Sequence, residues 1–127
     1  MLLALEGLHQ VGNIHRDIKP GNILRHENHW KLADFGIAEN LNRLVTNRTF
    51  QQSGSPGFAP PEQREGAEAH PSADVYHFGK LITFMLTGGT DPDVITAPEW
   101  GNLVDLCTRR DPRNRVTVDE VTAMLEA

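Results

Sequence analysis

The sequence predicts a mainly α-helical domain that carries one small β-hairpin. Apolar residues recur at helical spacing near both ends of the chain. A stretch in the middle of the chain predicts a helix that is apolar around most of its circumference. In residues 22–33 a short apolar run, a polar turn and an alternating run follow one another, which is the pattern of two paired strands. The chain of 127 residues corresponds to one domain by size.

The composition is typical of a soluble globular protein, with 39% hydrophobic and 23% charged residues. The net charge of -5 leaves no basic footprint, so we expect no nucleic-acid partner. No apolar run is long enough to cross a bilayer, and residues 1–8 lack the features of a signal peptide. The single cysteine, Cys107, fits a reducing compartment and is expected to be buried rather than nucleophilic. The expected location is therefore the cytoplasm.

The first helix is expected over residues 2–11, with Gly12 and Asn13 ending it. The hairpin follows, with strands at 22–24 and 30–33 joined by a polar turn at 26–29. Residues 37–55 are polar and lack periodicity, which predicts a long loop of the kind that is often functional.

The central helix is expected at about 74–87 and is expected to be buried, because it is apolar around most of its circumference, and Gly88 is expected to stop it. Asp74 lies among its apolar residues, so its carboxylate has to be paired or hydrogen-bonded, and a helix cap by Asp74 or Ser72 is a second role that is compatible with the first. Terminal helices are expected at about 100–126.

The last of these helices is expected to begin at a capping box. Thr117 stands at the cap position and Glu120 three residues later, and Val121, Met124 and Leu125 are expected to form the apolar face.

Four polar residues carry the chemistry. Asp17, Lys19 and Asn22 lie close together on one predicted loop, and the hairpin brings Asp34 to the same end as Asn22. Two acids, a lysine and an amide suit one task, which is to hold Mg²⁺ and phosphate oxygens while an acid orients a hydroxyl.

Three motifs in order resemble those of protein kinases. Residues 15–22 resemble the catalytic loop, Asp34-Phe35-Gly36 resembles the metal-binding motif, and Pro60-Pro61-Glu62 resembles the end of the activation segment, with Pro60 where alanine is usual. The lysine at position 19 of this loop resembles the loop of the serine/threonine branch of that family rather than the tyrosine branch. The resemblance covers nearly the whole chain but only the second half of a kinase, and it implies a C-lobe fragment that lacks the N-lobe, with an activation segment at 34–62.

The resemblance implies a role for each polar residue. Asp17 would orient the hydroxyl of a protein serine or threonine or accept its proton, and Lys19 would offset the charge of the transferred phosphoryl group. Asn22 and Asp34 would hold Mg²⁺ on ATP, and Leu24 would lie under the adenine ring. ATP and Mg²⁺ are the implied cofactors, and a protein with a serine or threonine hydroxyl is the implied partner.

Further roles are structural. By resemblance, His15 would brace Phe35, Asp74 would accept bonds from the backbone of His15 and Arg16, and Arg115 would pair with Glu62.

The activation segment contributes two hydroxyls. Ser55 stands where threonine is usual, and its hydroxyl can bond Asp17 and Lys19. Thr49, with Thr46 and Ser53 behind it, is the candidate for phosphorylation and for pairing with Arg16, although an unmodified polar loop fits the same residues.

A complete kinase also needs a glycine-rich loop, a strand lysine and a helix glutamate, and none is found in the sequence. We therefore expect the 127-residue chain alone to have little or no kinase activity. Three interpretations stay open: a piece of a serine/threonine kinase, a C-lobe-only interaction module without catalysis, and a small-molecule kinase of related fold. Lys19 and the segment 60–62 argue against the third.

Overall fold

The structure, a computed structural model, describes residues 2–27, 29–32, 39–40, 57–67 and 70–126, with the side chains of 2–4, 26, 29–30 and 39–40 excepted. This part of the chain is mainly helical and contains two small antiparallel sheets. Its elements are α1 (Leu2–Gln10), β1 (Asn13–Ile14), β2 (Ile23–His26), β3 (His29–Leu32), β4 (Glu39–Asn40), α2 (Pro61–Arg64), α3 (Ser72–Thr87), α4 (Pro98–Cys107) and α5 (Val118–Glu126). One-turn 3₁₀ helices lie at Pro20–Asn22, Pro92–Val94 and Pro112–Asn114.

The predicted hairpin is present, with a first strand one residue longer than expected, a second strand shifted by one residue and a tighter turn. Strand β2 pairs with β3 from Ile23 opposite Leu32 to His26 opposite His29. The two histidines assigned to the turn are therefore the last pair of the ladder. Glu27 follows with φ of 55°, a left-handed conformation that suits a tight hairpin turn.

A second sheet was not expected. Strand β1 pairs with β4 so that Asn13 lies opposite Asn40 and Ile14 opposite Glu39. The prediction that residues 37–55 form only a loop is therefore wrong at Glu39–Asn40. Two residues per strand are too few for a period-2 pattern to appear in the sequence. The pairing matters because β1 leads directly into residues 15–22.

Helix α3 runs through the middle of the domain. It starts at Ser72, two residues before the expected start, and all but one of its residues from Ser72 to Thr83 are buried. Gly88 ends it as expected, with φ of 79° and its N–H donated to the carbonyl of Phe84 at 2.8 Å. The prediction of burial fails in the last turn, where Phe84, Met85 and Leu86 are 38, 74 and 48% exposed.

One apolar core joins α1, α4, α5 and the loop before β2 to α3. Leu5 of α1, Ile18 of the loop before β2, Val104 and Cys107 of α4 and Val121 of α5 are almost completely buried in it. Burial raises the pKa of the Cys107 thiol to about 12, so this cysteine is an inert packing residue, as expected.

The approach of α3 to α4 depends on Gly79. A Cβ atom on Gly79 would lie 2.6 Å from Cγ2 of Thr108 and 2.8 Å from Cβ of Cys107. The two helices therefore pack at a distance that only glycine permits at this position.

Helix α5 begins at the predicted capping box. Thr117 N–H donates to Glu120 Oε2 at 2.7 Å, and Glu120 N–H donates to Thr117 Oγ1 at 3.1 Å. Val121 is buried as expected, but Met124 and Leu125 are 37 and 42% exposed, so the predicted apolar face is only half covered. Of the helices that the structure describes, none combines the length and the apolar character needed to traverse a bilayer.

Candidate active site

The loop at residues 15–22 alternates between buried and accessible side chains. His15, Arg16 and Ile18 are at most 3% exposed, whereas Asp17 and Lys19 are partly accessible. Ile18 belongs to the apolar core, so it fixes the loop between the two polar side chains that face outward. Burial on one side thus presents Asp17 and Lys19 on the other.

Asp74 of α3 holds the start of this loop. Its Oδ2 accepts the N–H of His15 at 2.9 Å, and its Oδ1 accepts the N–H of Arg16 at 2.8 Å. The carboxylate is completely buried. The second expected role, a helix cap by Asp74 or Ser72, is wrong, because Pro71 occupies the cap position and no side-chain cap bond is made there. The carboxylate serves the loop instead of the helix end.

Arg16 has a backbone conformation that needs such support. Its φ is 72°, in the left-handed region, which costs a residue with a Cβ atom roughly 1–3 kcal/mol unless its surroundings impose it. The bond from Arg16 N–H to Asp74 is one restraint on this conformation.

Two further restraints come from residues that the sequence did not single out. Nε2 of Gln63, in α2, donates to the carbonyl oxygen of Arg16 at 2.8 Å. Nε2 of His9, in α1, lies 2.7 Å from Asp74 Oδ2. Their partners are 47 and 65 positions away in the sequence, so no local pattern could have revealed either contact.

Asp17, Lys19 and Asn22 converge. Lys19 Nζ lies 3.6 Å from Asp17 Oδ2, and Asn22 Nδ2 donates to the carbonyl oxygen of Asp17 at 2.7 Å. The same amide nitrogen lies 3.4 Å from Asp17 Oδ2. Because Nδ2 is the donor in these bonds, Oδ1 of Asn22 is the atom left for a cation. An amide oxygen beside a carboxylate is a pair of oxygen donors that suits Mg²⁺.

Leu24 lies beside this cluster on β2 and is 53% exposed. Its neighbour Ile23 turns to the opposite side, as successive strand residues do, and packs against the core. With Pro20, Phe78 and Met85, Ile23 lines an apolar groove of about 550 Å³. The structure therefore places Leu24 on an accessible surface next to Asn22.

Glu62 and Arg115 form a two-bond ion pair that fixes α2. Arg115 Nη1 and Nη2 donate to the Glu62 carboxylate at 2.6 and 2.9 Å, and the Arg115 side chain is fully buried. Its guanidinium also donates to the carbonyl of Ser72 and lies 4.8 Å from the centre of the Tyr76 ring. Arg113, by contrast, has an 87% exposed side chain.

His77 is a completely buried histidine one turn after Asp74. Neither ring nitrogen has a hydrogen-bond partner among the residues that the structure describes. Burial lowers the pKa of His77 to about 4, against the opposing pull of the Asp74 and Asp17 carboxylates. The imidazole is therefore neutral at physiological pH.

Several predicted residues lie outside the described part of the chain. These residues are Asp34, Phe35, Gly36, Thr46, Thr49, Ser53 and Ser55. The roles assigned to them therefore stay predictions.

Comparison with known proteins supports the same interpretation as the geometry. The family described as "Protein kinase domain" matches residues 1–93. Serine/threonine-protein kinase PknK of Mycobacterium tuberculosis strain H37Rv is 46% identical over 86 residues, which are 67% of this chain and 8% of that protein. Serine/threonine-protein kinase F of Synechocystis sp. is 39% identical over 100 residues, 76% of this chain and 20% of that protein. Probable serine/threonine-protein kinase PkwA of Thermomonospora curvata is 29% identical over 140 residues, 96% of this chain and 19% of that protein.

A helical scaffold that presents an aspartate, a lysine and an asparagine on one anchored loop defines a phosphotransferase type of site. The chain belongs to the protein kinase family, in its serine/threonine branch. It spans a fifth or less of the length of these curated relatives.

Proposed function

We propose that this chain is the C-lobe part of a serine/threonine protein kinase that transfers a phosphoryl group from ATP to a protein hydroxyl. One observation carries the proposal: Asp17, Lys19 and Asn22 converge on a loop whose backbone is held by the buried Asp74. Family membership supports the reaction class. We further propose a cytoplasmic location and a protein substrate.

The proposed mechanism gives each side chain one task. Asp17 orients the substrate hydroxyl and takes its proton, and the Lys19 ammonium offsets negative charge on the transferred group. Asn22 and Asp34 would hold the cation, each through a side-chain oxygen. When bound, Mg²⁺ and ATP supply the phosphoryl group and neutralise part of its charge. Leu24 forms part of the surface below the adenine.

Other residues are proposed to shape this site. Asp74 fixes the backbone of His15 and Arg16, and the ion pair of Glu62 with Arg115 fixes the end of the activation segment.

The residues outside the described part complete this proposal. His15 braces Phe35 next to Gly36, Ser55 supports Asp17 and Lys19, and Thr49 is a site at which phosphorylation would recruit Arg16.

The 127 residues contain no glycine-rich loop and no strand lysine of the family pattern. Most of the catalysis in phosphoryl transfer is positioning, and those two features position the phosphates. We therefore propose that this chain alone transfers phosphate weakly or not at all.

The test is a chimera. The segment of PknK that aligns with this chain is replaced by this chain, and phosphorylation of serine and threonine in a generic protein substrate is measured with Mg²⁺ and ATP. We expect activity that is lost in the Asp17→Asn chimera and retained in an Asp105→Asn chimera, since Asp105 is exposed on α4. A folded chimera no more active than its Asp17→Asn form would overturn the proposal.

A second candidate is an interaction module without catalysis. It is favoured by the exposure of Phe84, Met85 and Leu86 at the end of α3, since contiguous exposed apolar residues often mark binding surfaces. The same chimera separates the two functions, because an interaction module gives no phosphorylation that depends on Asp17.

A further inference from the structure

We propose that Gln63 is a positioning residue for Asp17, and this inference rests on the proposed kinase function. Gln63 is 3% exposed and donates its side-chain amide to the carbonyl oxygen of Arg16 at 2.8 Å. That carbonyl belongs to the peptide group between Arg16 and Asp17. Gln63 therefore acts on the peptide from which Asp17 projects.

The same peptide group is held at its other polar atom. The N–H of Asp17 donates to His15 Nδ1 at 3.1 Å. Rotation of the peptide plane would break both bonds together, and it would also disturb the left-handed conformation of Arg16. With the carbonyl fixed by Gln63 and the N–H fixed by His15, the Cα–Cβ direction of Asp17 is set by contacts on both sides.

The chemistry of the bond requires a donor at position 63. A hydrogen bond from a neutral N–H donor stabilises a buried carbonyl oxygen, whereas an apolar side chain of equal length would leave the carbonyl without this bond. The other amide atom, Oε1 of Gln63, has no hydrogen-bond partner in the described part of the chain. The Gln63 side chain therefore bonds to the loop through its amide nitrogen.

Gln63 also links Asp17 to a distant anchor. It follows Glu62 directly in α2, and Glu62 is clamped by the buried guanidinium of Arg115. The clamp fixes the helix that carries Gln63, so it also sets where the amide meets the loop. We infer that the ion pair at one end of α2 and the orientation of Asp17 are coupled through this one side chain.

The test compares Gln63→Met with Arg64→Met in the 127-residue chain. Methionine keeps the length of glutamine but removes the donor, and Arg64 is the exposed neighbour on the same helix. In Gln63→Met we expect amide hydrogen exchange at Arg16 and Asp17 to accelerate about tenfold to a hundredfold. Exchange at the core residues Val104 and Val121 should match that of the Arg64→Met protein.

A spectroscopic signature separates positioning from general packing. Loss of the bond should shift the carbonyl ¹³C resonance of Arg16 and the amide resonances of Asp17, while the resonances of α5 stay in place. An unchanged Arg16 carbonyl resonance, or an acceleration of exchange spread evenly over the core, would overturn the inference. These measurements need no kinase activity, so they decide the role of Gln63 even if the chimera proves inactive.

In an active chimera the same substitution adds a kinetic readout. Gln63→Met should lower kcat and leave the KM for ATP unchanged, because Asp17 acts on the hydroxyl and not on the nucleotide. A raised KM with unchanged kcat would contradict the proposed role.

Discussion

Asp74 illustrates how one buried carboxylate organises the candidate site at the scale of a residue. Its two oxygens receive the N–H groups of His15 and Arg16 and the ring nitrogen of His9. Replacing it by asparagine exchanges one acceptor for a donor that faces other donors. We expect Asp74→Asn to lower the free energy of unfolding by about 1–3 kcal/mol, measured by urea denaturation.

The control is Asp105→Asn, because the side chain of Asp105 is 72% exposed and its ion pair with Arg109 is long, at 3.9 Å. The free energy of unfolding of Asp105→Asn should equal that of the unchanged protein within error. Equal urea midpoints for the two variants would show that Asp74 does not anchor the loop.

His77 makes stability depend on pH. Its folded pKa of about 4 lies below the ordinary value of 6.5, so the unfolded chain binds the proton more tightly. Stability is therefore full above pH 6.5 and falls as the pH drops toward 4, by about 3 kcal/mol in total from this group. The Asp74 and Asp17 carboxylates raise the pKa of His77 and His15 lowers it, but burial of the ring is the largest cause and sets the direction.

The measurement is the free energy of unfolding at pH 7 and near pH 4 for the unchanged protein and for His77→Met. We expect the variant to lose distinctly less stability in acid. If both proteins lose the same amount, His77 is not the group responsible.

The sequence predicted Asp74 as a carboxylate in need of partners, because a charge among apolar residues is conspicuous. It did not indicate His9 or Gln63. Each of these two side chains extends a polar group from a helix to a partner that is far away in the sequence. The tertiary packing of the chain brings the two partners together. Local patterns carry no information on such pairs.

At the scale of an element, the close packing of α3 on α4 makes Gly79 a sensitive position. Alanine normally stabilises a helix by about 1 kcal/mol over glycine. At Gly79 a Cβ would lie within 2.8 Å of Thr108 and Cys107. The resulting overpacking costs about 1–3 kcal/mol of stability, and we expect this cost to exceed the gain in helix propensity. We expect Gly79→Ala to lower the melting temperature.

The matched variant is Gly101→Ala in α4, where a Cβ would meet nothing within 4 Å. It should raise the melting temperature because only the helix propensity changes. An increase for both variants would mean that α3 and α4 do not approach as closely as described.

The clamp between α2 and the loop before α5 can be tested in the same way. Arg115→Met leaves the Glu62 carboxylate without its partner, and breaking a buried ion pair costs about 3–5 kcal/mol. Arg113→Met removes an exposed guanidinium and should change little. Both are measured by urea denaturation, and comparable losses would refute the distinction.

Helical periodicity was sufficient to predict α1, α3 and α5, and turn residues were sufficient for the hairpin. The boundaries were less accurate, since α3 starts at Ser72 and β2 continues to His26. The pairing of β1 with β4 could not be predicted because the two strands have only two residues each and lie far apart in the sequence, at Asn13–Ile14 and Glu39–Asn40.

At the scale of the whole molecule, the core formed by the four helices α1, α3, α4 and α5 and the loop before β2 supports the surface that carries Asp17 and Lys19. Ile18 and Asp74 tie residues 15–22 to α3, and the ion pair of Arg115 ties α2 to the region before α5. The motif order in the sequence predicted this family, and the matching of residues 1–93 confirms it. How Asn22 turns its amide depends on a contact with Asp17 that only the folded loop reveals.

The central claim is that Asn22 and Asp34 share one cation next to Asp17. The most direct test is paramagnetic broadening of the ¹⁵N-labelled chain by Mn²⁺ with ATP, since Mn²⁺ replaces Mg²⁺ at oxygen sites. We predict selective loss of the Asn22 side-chain amide and Asp34 amide signals, abolished by Asp34→Ala and unaffected by Asp119→Ala on α5. Broadening that is strongest elsewhere, or that persists unchanged in Asp34→Ala, would contradict the account.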